Sequence, residues 1–248
     1  MEAKLGRFQM QDGRGQSGSI IFRVGSSDEQ LIRHAFELGV YDLRPFPRFA
    51  ELQSLHQKIL AAGKTPLILD IGANIGVISN YWSWQLPNCR YLCVEPLNEN
   101  FDLLQENVRR LDAKAFHAGI ASEEGSLSVT MPNPEDYWSA ITTRGGSGGE
   151  SVPAITINSL LAAEPNGVPL IAKIDIEGFE NDLFSKNLEW LPKIPMLVME
   201  MHDWLFCKKN TSLSFRRAVM LGEHADFISW GENFVVLAHD LDSFAPAG

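Results

Sequence analysis

Two short blocks in the second half of the chain hold the side chains best suited to chemistry: Lys173-Ile174-Asp175-Ile176-Glu177 and Glu200-Met201-His202. In the first, the charged residues alternate, which puts all three on roughly one side of a strand and its exit. Charges buried without partners cost several kcal/mol each, roughly, so mutual pairing or a ligand is expected. The plainer reading is a Lys173–Asp175 ion pair at the end of a sheet. Glu200 and His202 are likewise two apart at the end of the next strand, so the two blocks can bring carboxylates and an imidazole together. One chemistry open to such a group is proton transfer through His202, whose ordinary pKa of about 6.5 suits work near neutrality. The other is a divalent ion held by Asp175, Glu177, Glu200 and His202, with Mg²⁺ or Mn²⁺ the ions such a carboxylate-rich set suits. No spacing here is diagnostic of a metal.

A second constellation lies earlier. Asp70-Ile71-Gly72-Ala73-Asn74-Ile75-Gly76 sits between an expected strand and helix, where glycines permit a tight turn and close approach of a ligand to the backbone. A dinucleotide fingerprint starting at Gly72 would need glycines where Asn74 and Val77 stand, which argues against a nicotinamide oxidoreductase. No Gly-Lys-Ser/Thr follows, which disfavours nucleotide triphosphates. Glu95 ends the next strand, 19 residues after Gly76, where a carboxylate can accept both hydrogen bonds from a ribose diol. A nucleoside ligand is implied.

The elements that must position these groups alternate in type. Helical spacing over Ser27 to Leu38 and Arg48 to Leu60 precedes a strand at Leu67 to Ile71. The proline-stiffened Tyr41 to Pro47 connects those helices and is placed to cross a pocket mouth. A helix over Ile75 to Leu86, a strand at Tyr91 to Val94, a helical stripe of Phe101, Leu104, Val108 and Leu111, and a strand around Ala115 to Ile120 follow. Short strands at Ser126 to Met131 and Val152 to Ile157 flank a glycine-rich insertion read as mobile. A short helix over Asn158 to Ala163, a buried strand at Leu170 to Ile176, a helix over Asn181 to Leu191 and a strand at Met196 to Met201 resume the alternation. Phe215 to Leu221 is helical, and Asp226 to Trp230 with Phe234 to Ala238 make a terminal hairpin.

The expected fold is therefore α/β: a doubly wound, seven-stranded, mostly parallel sheet with a terminal antiparallel hairpin and a ligand crevice at the carboxyl ends of the strands. Residues 1–20 read as a flexible arm, and 21–248 as one domain: helices over 21–64 and a Rossmann-like core over 65–248 with an insertion at 131–150.

Composition narrows the partners. The 248 residues carry 21 Lys+Arg against 31 Asp+Glu, a formal charge of −10, which repels phosphate backbones and anionic lipid. No nucleic acid or membrane is expected as a partner. No run reaches the roughly 20 apolar residues of a bilayer span, and Met1 to Ser19 lacks a signal-peptide core, so a cytoplasmic location is expected. Cys89, Cys93 and Cys207 read as reduced thiols.

In order along the chain, Leu69-Asp70-Ile71-Gly72-Ala73-Asn74-Ile75-Gly76, Val94-Glu95-Pro96 with Asn98 and Asn100-Phe101, Lys173-Ile174-Asp175-Ile176-Glu177-Gly178-Phe179-Glu180, and Glu200-Met201-His202 resemble the FkbM-type family of class I S-adenosylmethionine-dependent methyltransferases. The resemblance runs from about Leu67 to Trp204. It implies the methyl donor over the ends of the first two core strands. Asp70 and the loop Gly72, Ala73, Asn74 and Gly76 would hold its methionine portion, with Asp175 nearby, and Glu95 and Pro96 its ribose. His117-Ala118-Gly119-Ile120-Ala121-Ser122, after the third strand, holds no acidic residue where many class I enzymes bind the adenine amino group, so backbone near Gly119 and Ile120 would serve.

Methyl transfer to a hydroxyl needs the nucleophile in line with the sulfonium methyl and a base for its proton. His202 is the first candidate base, Asp175 the second, and Glu200 would orient the imidazole. Lys173, Glu177, Tyr137, Trp138 and Trp204 are the expected acceptor contacts, and the Phe46 segment would complete an aromatic wall with Trp204. The expected reaction is O-methylation of a sugar or secondary-metabolite hydroxyl. N-methylation of an amide or amine in a peptide or small molecule is the nearer alternative, and a nucleoside-binding scaffold without turnover the more distant one. The expected acceptor is thus a small molecule, a glycan or a peptide, and a divalent cation is an open addition to S-adenosylmethionine.

Overall fold

The computed structural model describes residues 3–11, 17–131, 137, 140–145, 149–220 and 225–246. In chain order the elements are β1 (Leu5–Gln11), β2 (Ser17–Arg23), α1 (Ser27–Phe36), α2 (Phe49–Ala61), β3 (Thr65–Ile71), α3 (Val77–Gln85), β4 (Arg90–Glu95), α4 (Asn98–Val108), β5 (Ala113–His117) and β6 (Gly119–Ile120). They continue with β7 (Gly125–Thr130), β8 (Ile141–Thr143), β9 (Glu150–Ile155), α5 (Ile157–Ala162), β10 (Gly167–Ile174), α6 (Glu180–Leu183), β11 (Met196–Glu200), α7 (Leu213–Met220), β12 (Ala225–Trp230) and β13 (Asn233–Ala238).

The central sheet has seven strands in the order β12-β13-β11-β10-β3-β4-β5. From β5 to β11 all neighbours are parallel, and β13 runs antiparallel to both β11 and β12. Parallel strands covered on both faces should be apolar throughout. Accordingly Pro66 to Ile71 and Leu170 to Ile174 are buried without a break. Successive residues of β3 feed opposite layers: Ile68 packs with Leu55, Trp82 and Val198, while Leu67 and Leu69 pack with Trp190, Phe215 and Leu197. The chain winds outward one way through β4 and β5, then returns to place β10 on the other side of β3. That reversal opens a crevice between the carboxyl ends of β3 and β10.

Four sequence expectations need correction. The arm is a paired ribbon: β1 and β2 form an antiparallel hairpin whose Met10 and Ile20 are buried in the main core. Its outer edge is held by Asn107, which accepts from Ile21 N at 2.7 Å and donates to Ile21 O at 2.9 Å. The strand expected across Ala115 to Ile120 is split, because β5 ends in the main sheet and β6 joins a second, four-stranded sheet of order β6-β9-β7-β8. The insertion contributes β8 to that sheet, and Arg144 pins it to Asp182 at 2.6 Å. Finally, the long helix expected at Asn181 to Leu191 is one turn, α6, followed by a 3₁₀ turn at Leu191–Lys193. Asn187 between them is left-handed, at φ 56°, and spends its side-chain amide on Ser122 O.

Cys89, Cys93 and Cys207 are all unpaired thiols. Among the described residues no helix is long and apolar enough to cross a membrane.

Candidate active site

A cavity of about 330 Å³ opens where the crevice was expected. One half is built from the glycine loop. Gly72, at φ 75°, turns the chain out of β3 so closely that a Cβ there would lie 1.8 Å from the carbonyl oxygen of Asp175. Only glycine permits both the left-handed backbone and that approach. The N–H groups of Gly72 and Ala73 donate to Val94 O, and Asp175 N donates to Ile71 O, so the turn is laced to the strands on both sides. Gly76, at φ 81°, lies one step behind, and a Cβ there would press on Leu104 and Val108 of α4.

Glu95 faces this loop from the end of β4. Its Oε2 accepts the backbone N–H of Asn74 at 2.8 Å, and its Oε1 accepts that of Leu97 at 2.9 Å. Burial pushes the Glu95 carboxyl up to about 7, against the lowering effect of those two donors. Asn100 ties the group to the connection between β7 and β8 by donating to Tyr137 O at 2.9 Å. The ring of Tyr137 is covered by the Arg23 guanidinium, 3.5 Å from its centroid. Arg23 is itself buried, bonded to both oxygens of Asp28 at 2.8 Å and to Asn100 at 2.6 Å. The N-terminal ribbon thus braces one wall of the cavity.

The other half is acidic. Asp175, Glu177, Glu200 and Glu232 line it with Glu95, and Lys173 is the only Lys or Arg among the described lining residues. Lys173 is buried and reaches Gly72 O at 3.1 Å, Asp175 Oδ2 at 3.3 Å and Asp70 Oδ1 at 3.7 Å. Burial alone would lower its pKa, but Asp175, Asp70 and Glu200 together hold it raised. Burial, then the neighbouring Asp175, lifts Glu200 to about 8.

His202 stands behind these carboxylates. It is 1% exposed and does not line the cavity. Its Nδ1 meets Glu180 Oε1 at 2.7 Å, while its Nε2 points at Asp175 and Glu177, each 3.5 Å away, and Glu200 at 3.6 Å. Burial opposes its charge, but the Glu180 hydrogen bond and the surrounding carboxylates raise the imidazole to about 9.

The expected contacts therefore divide. Gly72, Ala73, Asn74, Glu95, Pro96, Gly119, Ile120, Tyr137, Lys173, Asp175, Glu177, Glu200 and Trp204 all line the cavity. Asp70, Gly76 and His202 do not. Asp70 is buried beneath the loop, accepting from Ser79 Oγ at 2.6 Å. Phe46 packs against Trp230 in the core, 5.1 Å between ring centres, and builds no aromatic wall. Trp138 lies outside the described residues. Sequence reasoning missed Glu180, Tyr41, Glu232 and Arg23. Glu180 was in plain view as the last residue of the Lys173 to Glu180 motif, and Tyr41 as the first of the proline-stiffened connection. No local signal marked Glu232 or Arg23, which come from a hairpin turn and from the end of β2, just past the supposed arm.

A family model described as the methyltransferase FkbM domain matches residues 70–229. Methyltransferase sdnD of Sordaria araneosa is 38% identical over 73 residues, which is 27% of this chain and 28% of that protein. Among solved structures, methyltransferase FkbM from Methylobacillus flagellatus KT aligns over 70% of this chain and 43% of its own, at 14% identity and a TM-score of 0.48. Cofactor-bound Rv0187 from MTB aligns over 86% and 96%, at 14% identity and a TM-score of 0.42. This chain thus spans less than half the length of the first two relatives. The match over residues 70–229 takes in the glycine loop, Glu95 and both acidic blocks, and the chain belongs to the FkbM methyltransferase family.

Proposed function

We propose that the chain is an S-adenosylmethionine-dependent methyltransferase acting on a hydroxyl of a small molecule, a sugar or a secondary-metabolite scaffold. The observation that carries this reading is the single cavity shared by the Gly72 to Asn74 turn with Glu95 and by the carboxylates at the ends of β10 and β11. The first half suits the donor. The Gly72 turn leaves no Cβ in the way, and Glu95 Oε2, with one backbone donor already satisfied, keeps acceptor capacity for a ribose hydroxyl. Held there by the glycine turn and Glu95, S-adenosylmethionine would supply an electrophilic methyl for the acceptor oxygen, the pair of its methyl–sulfur bond staying on sulfur.

The second half handles the acceptor. Asp175 lines the cavity beside the glycine turn, so its carboxylate takes the hydroxyl proton. This moves the base from the first candidate to the second, since His202 is screened from the cavity by Asp175, Glu177 and Glu200. Lys173 positions Asp175 through its 3.3 Å contact. Trp204, 69% exposed, offers an apolar platform at the rim. N-methylation of an amine is the second reading, favoured by five lining carboxylates that would attract a cationic acceptor.

Calorimetric titration with S-adenosylhomocysteine, with NAD as control, tests the donor half. Selective binding of the former is expected, and NAD bound as tightly or more tightly would refute it. Incubation with labelled S-adenosylmethionine and panels of hydroxyl and amine acceptors then separates O- from N-transfer by fragmentation of the product.

A further inference from the structure

We infer that His202, Asp175 and Glu200 form a binding site for one divalent cation of the Mn²⁺ type at the acidic end of the cavity. Three carboxylates converge on one imidazole nitrogen. His202 Nε2 lies 3.5 Å from Asp175 Oδ1, 3.5 Å from Glu177 Oε2 and 3.6 Å from Glu200 Oε1. That nitrogen is fully buried and has no hydrogen-bond partner. The three carboxylates face that nitrogen at ion-pair distance without closing a hydrogen bond to it, and an ion between them would satisfy all four groups.

The geometry suits a metal ion. One ligand atom each from Asp175, Glu200 and His202 lie within 4.8 Å of one another. Ligand atoms about 2.1 Å from a common ion stand roughly 3 to 3.5 Å apart at angles between octahedral and tetrahedral. The distances from His202 Nε2, 3.5 Å to Asp175 and 3.6 Å to Glu200, are close to that. The other side of the ring is prepared as well: Glu180 Oε1 accepts from His202 Nδ1 at 2.7 Å and from Gly178 N at 3.1 Å. A carboxylate on the far ring nitrogen holds the ring with Nε2 toward the other carboxylates, the orientation found around metal-bound histidines, and an ion bound there takes the place of the Nε2 proton. Glu180 is a positioning residue in this scheme.

One nitrogen and two or three carboxylate oxygens favour Mn²⁺ over an all-oxygen Mg²⁺ cage or a thiolate-rich zinc site. Asp175 and Glu200 line the cavity and His202 backs it, so the ion's remaining positions face the acceptor. Its role, which rests on the proposed methyl transfer, is to hold the acceptor oxygen and lower its pKa.

The test is Mn²⁺ binding itself, followed by electron paramagnetic resonance on the whole chain after chelator treatment and dialysis. One Mn²⁺ per chain is expected, with affinity at least tenfold weaker in His202→Gln and in Glu200→Gln. Far-UV circular dichroism and S-adenosylhomocysteine binding on the same samples show that fold and donor site persist, so loss of the metal is distinguished from failure of the methyltransferase reading. The wild-type protein gives a second readout: echo-envelope modulation from a coordinated imidazole ¹⁴N on bound Mn²⁺. Folded wild-type protein that takes up no Mn²⁺ at millimolar concentration would overturn the site. So would bound Mn²⁺ without nitrogen modulation, or unchanged affinity in both variants.

Discussion

The backbone N–H of Asn74 donates to Glu95 Oε2 at 2.8 Å, joining the glycine turn after β3 directly to the end of β4. The carboxylate that would receive the ribose is therefore also the one that sets the height of the loop.

Its titration gives a pH-dependent affinity. With the free protein's Glu95 near 7, the group is mostly protonated at pH 6 and mostly ionised at pH 8. Accepting two ribose hydroxyls requires the ionised form, so the proton must leave on binding and affinity rises with pH. Calorimetry should show S-adenosylhomocysteine binding weakening by up to about tenfold per unit below pH 7. Glu95→Gln should bind about tenfold or more weakly at pH 8, with a flatter profile. A wild-type affinity that does not change between pH 6 and 8 would remove Glu95 from the ribose.

Gly72→Ala tests the turn itself. The new methyl would meet Asp175 O at 1.8 Å in a left-handed backbone at φ 75°, so the loop must move. Urea denaturation should show a loss of more than about 2 kcal/mol, and donor binding should fall with it.

Asp175→Asn separates binding from chemistry. The amide keeps the shape beside Gly72 but cannot take a proton. Turnover should drop by about 10²- to 10⁴-fold. The dissociation constant for S-adenosylhomocysteine should change much less. Undiminished turnover at saturating acceptor would remove Asp175 as the base.

Arg23→Ala should destabilise the protein by about 3–5 kcal/mol, because it leaves Asp28, 1% exposed, without its buried partner. Chemical denaturation measures this. The same variant uncovers the ring of Tyr137, so donor affinity should weaken even under conditions where the protein stays folded.

Much of this was legible beforehand. The apolar runs at Leu67 to Ile71 and Leu170 to Ile174 announced buried parallel strands, because few other settings bury every residue of a strand. Gly72 and Glu95 stood out since a tight turn and a strand-end carboxylate are local features. What stayed hidden was non-local. Met10 and Ile20 are apolar positions in a polar stretch, and nothing nearby shows that Asn107 holds the ribbon they belong to. The burial of His202 stayed hidden for a similar reason. Its sequence position at a strand end is right for a base, but its access is decided by Asp175, Glu177 and Glu200, two of which come from another strand's exit.

The docking of that ribbon also sets a schedule for synthesis. Ile21 and Asn107 are 86 residues apart, so the strand emerges long before the amide that caps its edge. At about 5–20 residues per second the delay is roughly 4 to 17 s. For that interval Met10 and Ile20, buried in the finished protein, have no core to enter, and the edge of β2 is open to pairing with another chain. The side chain of Asn107 closes that edge by copying the donor and acceptor of a third strand, and a nascent chain stalled short of it would carry an adhesive end.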